Sequence, residues 1–313
     1  MEIVNVNNLK KAYGDVYAVN DITFKIKAGE IFGFLGPNGA GKTSTINMLI
    51  GLSRPSEGQI VINGIDVIKD SKKAQRIIGV VPDESNLYDD MNGFENLCFC
   101  ASLYGIEKEE REKRAKELLK IFNLDNVSER SYKAYSKGMR RKLTIAAGII
   151  HDPQILFLDE PTTGIDVESA RQIRELILNL KEEGKTIFLT THYIEEAERI
   201  CDRIAFIVEG RIVEISTVAD LMDKAVPEHT IKLTLNSNIK EIIDELQSEF
   251  QNCRIEITDN NSCLIINKER LPLFPIIKVL NNKGISVYEA KEIKPSLEDI
   301  FVKLTGKKPL LKR

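Results

Sequence analysis

The stretch Gly36-Pro37-Asn38-Gly39-Ala40-Gly41-Lys42-Thr43 combines residue types and spacing that suit the binding of phosphate groups. It follows the pattern G-x-x-x-x-G-K-[ST], in which glycines let several backbone N–H groups turn toward phosphate oxygens. Lys42 adds a full positive charge, Thr43 offers a hydroxyl to a magnesium ion, and Ser44 completes the predicted nucleotide-binding set. The stretch therefore predicts a site for a nucleoside triphosphate.

The elements on either side of this loop are those that the pattern needs. The apolar run 31–35 predicts a strand before it, and the segment 42–49 predicts a helix after it, ended by Gly51. A helix N-terminus carries a partial positive charge, which adds to the attraction for phosphate.

A second group of residues that could take part in catalysis or metal binding lies more than a hundred positions further on. Asp159 and Glu160 follow the apolar run 155–158, which predicts a buried strand, and a predicted helix and strand (186–190) then lead to His192. In such a βαβ unit the strands are parallel and ligands bind at their carboxyl ends. We therefore expect Glu160 and His192 near the phosphate loop, with Asp159 holding magnesium and Glu160 activating the attacking water.

Composition limits the remaining choices. The 313 residues suffice for one large and one small domain, and 42% hydrophobic with 29% charged residues is ordinary for a soluble protein. The net charge of −3 gives no basic field for nucleic acid. No apolar run reaches the roughly 18 residues that span a bilayer, no signal segment is recognised, and the five cysteines suit reduced thiols in the cytosol.

The chain is predicted to be an α/β protein in two parts, 1–224 and 225–313, with a boundary at Pro227. The first part has antiparallel strands within 1–35, a hairpin at Asn63-Gly64 and a helical subdomain over about 88–151. The second part has the element order βαββαβ, which predicts a small α+β ferredoxin-like domain. A terminal helix capped by Ser296 and a frayed tail over 307–313 complete the prediction.

Residues 1 to about 222 resemble the ATP-binding subunit of an ABC transporter, a P-loop ATPase core with antiparallel β and helical subdomains. The family's L-S-G-G-Q signature corresponds to Tyr135-Ser136-Lys137-Gly138-Met139, just ahead of a helix expected to start near Arg140. In the family this segment binds the γ-phosphate of the ATP held by the opposite subunit. The form Y-S-K-G-M resembles the branch that exports drugs, antibiotics, polysaccharides or sodium.

The resemblance also implies roles for single residues. Tyr13 matches the aromatic that stacks on adenine, and His192 matches the histidine that contacts the γ-phosphate. Asp166, in the loop Gly164-Ile165-Asp166, matches a residue that acts across the dimer interface together with Ser136, Lys137 and Gly138. Asp83 stands where the family has a glutamine beside the magnesium, so it joins Thr43 and Asp159 in the expected metal site.

The resemblance implies an ATPase that uses ATP and Mg²⁺ between two copies of itself, or with a similar subunit. The dimer would drive a separate transmembrane permease, most often for export, at the inner face of the cell membrane, without nucleic acid. Glu160 and His192 would be the catalytic residues.

Other classes of ATPase or GTPase carry sequence features of their own. DNA-acting relatives need a long coiled-coil insertion, ribosomal relatives carry two ATPase domains, and GTP switches use an N-K-x-D motif, none of which is present. A soluble ABC-type ATPase acting outside transport, or a catalytically weak regulatory subunit, stays open because Lys137, Met139 and Asp83 depart from the family pattern.

Overall fold

The computed structural model describes residues 1–224, 229–293 and 297–305. The chain divides into two compact units, Met1–Val218 and Ala219–Lys303. The predictions for Pro227, Ser296 and 307–313 lie outside the described residues. Among the residues that are described, no helix has the length and apolar character to cross a bilayer.

The first unit alternates strands and helices in the predicted order. Its strands are β1 (Glu2–Tyr13), β2 (Val16–Lys27), β3 (Ile31–Leu35), β4 (Glu57–Ile62), β5 (Ile65–Asp66), β6 (Ile78–Val81), β7 (Ile155–Asp159), β8 (Thr186–Thr191), β9 (Arg203–Val208) and β10 (Arg211–Thr217). Its helices are α1 (Lys42–Leu49), α2 (Ser71–Gln75), α3 (Gly93–Leu103), α4 (Lys108–Ile121), α5 (Lys137–Ile149), α6 (Val167–Glu182) and α7 (Ile194–Ile200), and α8 (Val218–Lys224) follows at the boundary.

The central sheet has the order β10-β9-β3-β8-β7-β6. Strands β9, β3, β8, β7 and β6 are parallel, and β10 pairs antiparallel with β9 at one edge. All residues of β3, β7 and β8 are buried, as their continuous apolar runs predict. The parallel pairing of β7 with β8 sets Asp159 beside Thr190, and the carboxyl end of β3 leads into the phosphate loop at the same edge.

A second, antiparallel sheet of the order β2-β1-β4-β5 packs on the first. Phe24 of β2 stacks on Phe32 of β3 with ring centroids 5.6 Å apart, and it also meets Phe188 of β8. These buried rings join both sheets in one core. Strand β3, which leads into the phosphate loop, is therefore fixed by packing against β2 of the second sheet as well as by its own sheet.

The helix that carries the signature segment begins earlier than the sequence predicts. Helix α5 begins at Lys137, not near Arg140, because the Ser136 side chain accepts a hydrogen bond from the Met139 N–H at 3.2 Å and caps the helix. The signature segment is therefore the first turn of α5 itself.

The second unit contains β11 (His229–Leu235), α9 (Ile239–Glu249), β12 (Arg254–Asp259), β13 (Ser262–Asn267), α10 (Leu273–Asn282) and β14 (Val287–Ile293), and α11 (Leu297–Thr305) follows. Its sheet is antiparallel with the order β12-β13-β11-β14. The last strand starts later than the predicted Ile285. The Ile285 N–H instead closes the end of α10 by donating to Leu280 O, and the side chain joins the core.

Candidate functional site

The phosphate loop occupies the turn between β3 and α1. Gly41 precedes the helix with φ 104°, a left-handed conformation that favours glycine, and a Cβ at this position would collide with the Ala18 carbonyl oxygen. Asn38 and Gly39 are exposed, whereas Gly36 and Ala40 are buried and Pro37 is half-buried. The loop thus presents its middle to solvent and is anchored at both ends.

Lys42 is the first residue of α1, and its side chain is folded back over the loop. Its ammonium donates to the carbonyl oxygens of Gly36 at 2.8 Å and Pro37 at 3.3 Å. It also forms an ion pair with Glu160 Oε1 at 3.3 Å, although the lysine is only 6% exposed. The positive charge of Lys42, which is predicted to bind the triphosphate, therefore lies inside the loop. It is paired there with Glu160, the predicted general base.

Asp159, at the end of β7, meets Thr43 of α1, the next residue after Lys42. The Thr43 hydroxyl donates to Asp159 Oδ2 at 3.2 Å, and the Thr190 hydroxyl makes a short hydrogen bond to Asp159 Oδ1. These contacts bring two predicted metal ligands together.

Glu160 is held in an unusual backbone conformation, with φ 49°. Its N–H donates to the carbonyl oxygen of Thr190 at 3.2 Å and to the Thr190 hydroxyl at 3.1 Å. Its Oε2 lies 2.7 Å from His192 Nδ1 and accepts from the Thr163 hydroxyl at 2.9 Å. A non-glycine residue with positive φ persists only where its surroundings fix it, so these bonds define where the Glu160 carboxylate points.

Asp83 follows β6 and is exposed. Although the residue as a whole is exposed, desolvation of its carboxyl raises the pKa of Asp83 above its usual value. The charge of Asp159 raises this pKa further, and the charge of Arg141 opposes the rise. The Asp83 carboxylate is thus close enough to Asp159 for that charge to affect its pKa.

The donor set suits magnesium. Mg²⁺ in triphosphate sites is held through one or two carboxylates together with the substrate's phosphates and water, so it needs no all-protein cage. The Thr43 hydroxyl and Asp159 carboxylate fit that pattern. Within the described ranges, no group of three or more His, Cys, Asp or Glu side chains is arranged to hold a metal by itself.

The signature segment and the 164–166 loop lie together. Ser136 and Lys137 are exposed, whereas Gly138 is buried against Ser169 so closely that a Cβ would collide with the serine hydroxyl. Asp166 caps α6 by accepting from the Ser169 N–H at 2.9 Å and hydroxyl at 2.7 Å. Of the four residues expected to act across a dimer interface, Ser136, Lys137 and Asp166 are therefore exposed in one region, and Gly138 is buried there.

Tyr13, expected at the adenine, ends β1 and is 56% exposed. The Lys11 ammonium lies 5.0 Å from the centre of its ring. The ring is therefore accessible for stacking and is already in contact with a cation.

Two buried residues were missed by the sequence analysis, Thr190 and Arg141. Thr190 could have been found, because it ends β8 at the sheet edge where Asp159 ends β7. Arg141 lies on α5 and donates to backbone oxygens at the ends of β6 and β7. Its position on a helix gives no sequence signal for these contacts.

We expect Thr190→Val to lower ATP hydrolysis roughly tenfold to a hundredfold, since its hydroxyl orients both Asp159 and the Glu160 backbone. The free energy of unfolding should fall by about 1–3 kcal/mol because buried polar groups lose a partner. Steady-state hydrolysis and thermal unfolding measure the two effects. Thr186→Val is the matched control: Thr186 lies at the other end of β8 and accepts from Gly29 N–H, so its loss should affect stability alone. Equal hydrolysis rates in the two variants would contradict this role of Thr190.

Comparison with known proteins agrees with this arrangement. Residues 19–163 match the family model described as ABC transporter. The chain is 34% identical to the linearmycin resistance ATP-binding protein LnrL of Bacillus subtilis, covering 97% of this chain and 99% of the relative. It is also 34% identical to the Nod factor export ATP-binding protein I of Burkholderia orbicola, covering 97% of each.

Among solved structures, the chain is similar to an ATP-binding subunit of an ABC transporter, with 31% identity and a TM-score of 0.65 over 71% of this chain and 93% of that one. It is similar as well to the dimeric, post-hydrolysis ATP-binding cassette MJ0796 bound to ADP and Pi, with 29% identity and a TM-score of 0.64 over 69% and 99%. This chain belongs to the ABC transporter family, as an ATP-binding subunit that hydrolyses ATP.

Proposed function

We propose that this chain powers a separate membrane permease that exports its substrate, with the ATP bound between two ATPase subunits. The observation that carries the proposal is the linked set of Lys42, Glu160 and His192 beside Thr43 and Asp159, at the edge where β3 enters the phosphate loop. Export is supported by the name of the Nod factor export ATP-binding protein I, which matches nearly the whole chain.

In the proposed cycle the loop from Gly36 to Ser44 binds the phosphates, and Tyr13 stacks on the adenine. Thr43, Asp159 and Asp83 would hold Mg²⁺, which neutralises charge on the β- and γ-phosphates when bound. Glu160 orients the attacking water and takes its proton.

His192 contacts Glu160 Oε2 and so holds the carboxylate in place. As its match to the family's histidine implies, His192 would also contact the γ-phosphate. The Glu160 φ of 49° and its two bonds to Thr190 keep the base in position before the nucleotide arrives. A base that is already oriented loses little entropy in the reaction.

Ser136, Lys137, Gly138 and Asp166 would complete the site of a partner subunit. Ser136 and Lys137 stand exposed at the N-terminus of α5, where backbone N–H groups and a lysine favour an anion. The partner can be a second copy or a similar subunit. The MJ0796 cassette, to which this chain is similar, is dimeric.

The second part of the chain, 225–313, would be an accessory domain of the ferredoxin-like type. Its element order and its antiparallel sheet of order β12-β13-β11-β14 support this assignment. The ATPase subunit would lie at the inner face of the cell membrane through its permease.

A reconstitution experiment tests the proposal. The tagged chain is purified from detergent-solubilised membranes of its source cells, and we expect a polytopic membrane protein to remain bound. The complex is then placed in vesicles, where ATP should drive transport and Lys42→Ala should co-purify normally but transport nothing. Recovery of the chain with DNA or ribosomes, and without a membrane protein, would contradict the transport function.

Asp83 provides a narrower test of the metal site. A carboxylate there should strengthen Mg²⁺ binding and repel the triphosphate when Mg²⁺ is absent. ATP affinity should therefore depend more steeply on magnesium in the wild type than in Asp83→Asn, measured by nucleotide titration across a magnesium series. Glu84→Gln, at the exposed neighbouring position, is the control. Superimposable curves for Asp83→Asn and wild type would remove Asp83 from the metal site.

A further inference from the structure

Arg141 is a buried arginine of α5, 3% exposed, that donates to backbone carbonyl oxygens. Its Nε donates to Pro161 O at 2.9 Å and its Nη2 to Asp159 O at 2.6 Å. Its Nη1 donates to Asp83 O at 2.9 Å and makes a short hydrogen bond to Pro82 O. One guanidinium therefore binds four carbonyl oxygens that belong to two separate segments.

These two segments are the ones that carry the acidic groups of the ATP site. Pro82 and Asp83 follow β6, whereas Asp159 and Pro161 flank Glu160 at the end of β7. The two strands are parallel neighbours, so Arg141 bridges their carboxyl ends at the main chain. Arg141 therefore ties α5 to the main chain on which Asp83, Asp159 and Glu160 lie.

Only an arginine can make this set of bonds. The guanidinium is planar and has five N–H donors in a fixed fork, whereas a lysine has a single nitrogen. Burial lowers the pKa of Arg141, and the carboxylates of Asp83, Asp159, Glu196 and Glu160 oppose that effect. The four acids favour the charged form of a side chain that is bonded to carbonyl oxygens.

The same helix carries the exposed end that would contact the partner's ATP. Arg141 lies five positions after Ser136, which caps α5, and within one turn of Gly138, which packs on Ser169 of α6. An α-helix is stiff over so short a distance, so a shift of its N-terminus is passed to Arg141.

We propose that Arg141 is a positioning residue that couples α5, facing the ATP of the partner subunit, to both acidic segments of its own ATP site. The inference rests on the proposed sharing of ATP between two subunits. When ATP draws Ser136 and Gly138 onto the partner's γ-phosphate, Arg141 fixes Asp83, Asp159 and Glu160 for hydrolysis in its own site. Conversely, ATP in its own site orients α5 for docking.

The experiment compares three full-length proteins: Glu160→Gln alone, Glu160→Gln with Arg141→Lys, and Glu160→Gln with Arg141→Gln. The Glu160→Gln substitution is included because it should trap ATP in a dimer. ATP affinity is measured by titration at chain concentrations below those of dimer formation, and dimerisation by sedimentation at saturating ATP. We expect ATP affinity within about twofold of the parent and a dimer dissociation constant raised at least about tenfold, because the lost bonds lie between α5 and the site.

Arg114→Lys is the matched control. Arg114 also donates to a main-chain carbonyl oxygen, that of Ile150 at the opposite end of α5. Its substitution should therefore leave dimerisation unchanged. With Glu160 intact, Arg141→Lys should lower kcat about tenfold or more with KM little changed, which a general loss of structure would not produce.

Failure of Glu160→Gln alone to dimerise would overturn the shared site, and the coupling with it. Normal dimerisation of the double variants would overturn the coupling only, as would a parallel loss of ATP affinity, dimerisation and thermal stability. If both Arg141 variants fail to fold, hydrogen exchange decides with Arg141 in place. The amides of Asp83 and Glu84 must gain protection when the Glu160→Gln dimer forms, beyond the effect of ATP on the monomer. No added protection would overturn the proposal.

Discussion

Lys42→Ala is expected to abolish ATP binding at ordinary nucleotide concentrations. The Lys42 ammonium is the full positive charge within the phosphate loop, and it is nearly buried beside Gly36 O and Glu160. Removing the lysine partner of the charge pair that Lys42 would form with the phosphates costs about 2–5 kcal/mol of binding free energy, which lowers affinity at least about 30-fold and up to several thousandfold. Nucleotide titration by calorimetry measures the effect.

Lys25→Ala is the control for this variant, because Lys25 is a half-exposed lysine of β2 that pairs with Glu2. Thermal unfolding shows whether Lys42→Ala remains folded with Glu160 left without its lysine. Wild-type affinity in the folded Lys42→Ala protein would refute the assignment of the loop.

Glu160→Gln should keep ATP binding but slow hydrolysis by about 10²–10⁴, the effect of removing a general base. Glutamine has nearly the same shape, so contacts with His192 and Thr163 can persist. The ion pair between Lys42 and Glu160 is lost, which frees the ammonium for the phosphates. ATP that is bound but not hydrolysed should hold two subunits together.

Gel filtration with and without ATP detects that dimer, and single-turnover kinetics measure hydrolysis. The double variant Lys42→Ala/Glu160→Gln should stay monomeric, since it binds no ATP. A Glu160→Gln protein that binds ATP and elutes only as monomer would contradict the shared site, and one that hydrolyses ATP at the wild-type rate would remove Glu160 as the base.

Much of the fold follows from local signals in the sequence. Apolar runs predicted β3 and β7, the segment 186–190 predicted β8, and the Asn-Gly pair predicted the turn at Asn63-Gly64. These signals are read over a few residues, because a strand or turn depends first on its own side chains and backbone freedom. Boundaries were less secure where a single hydrogen bond fixes the start or the end of an element. Ser136 starts α5 earlier than expected, and Ile285 closes α10 before β14 begins.

The sequence by itself determined the family and predicted the residues of the ATP site: the phosphate loop, the pair Asp159-Glu160, His192, and the signature at 135–139. Only the tertiary structure decided how these groups hold one another. Thr190 meets Asp159 and Glu160 because β8 lies beside β7, and Arg141 reaches the ends of β6 and β7 because α5 packs on β6. Such contacts join residues 18 to 59 positions apart. They depend on strand order and helix packing, which local periodicity does not specify.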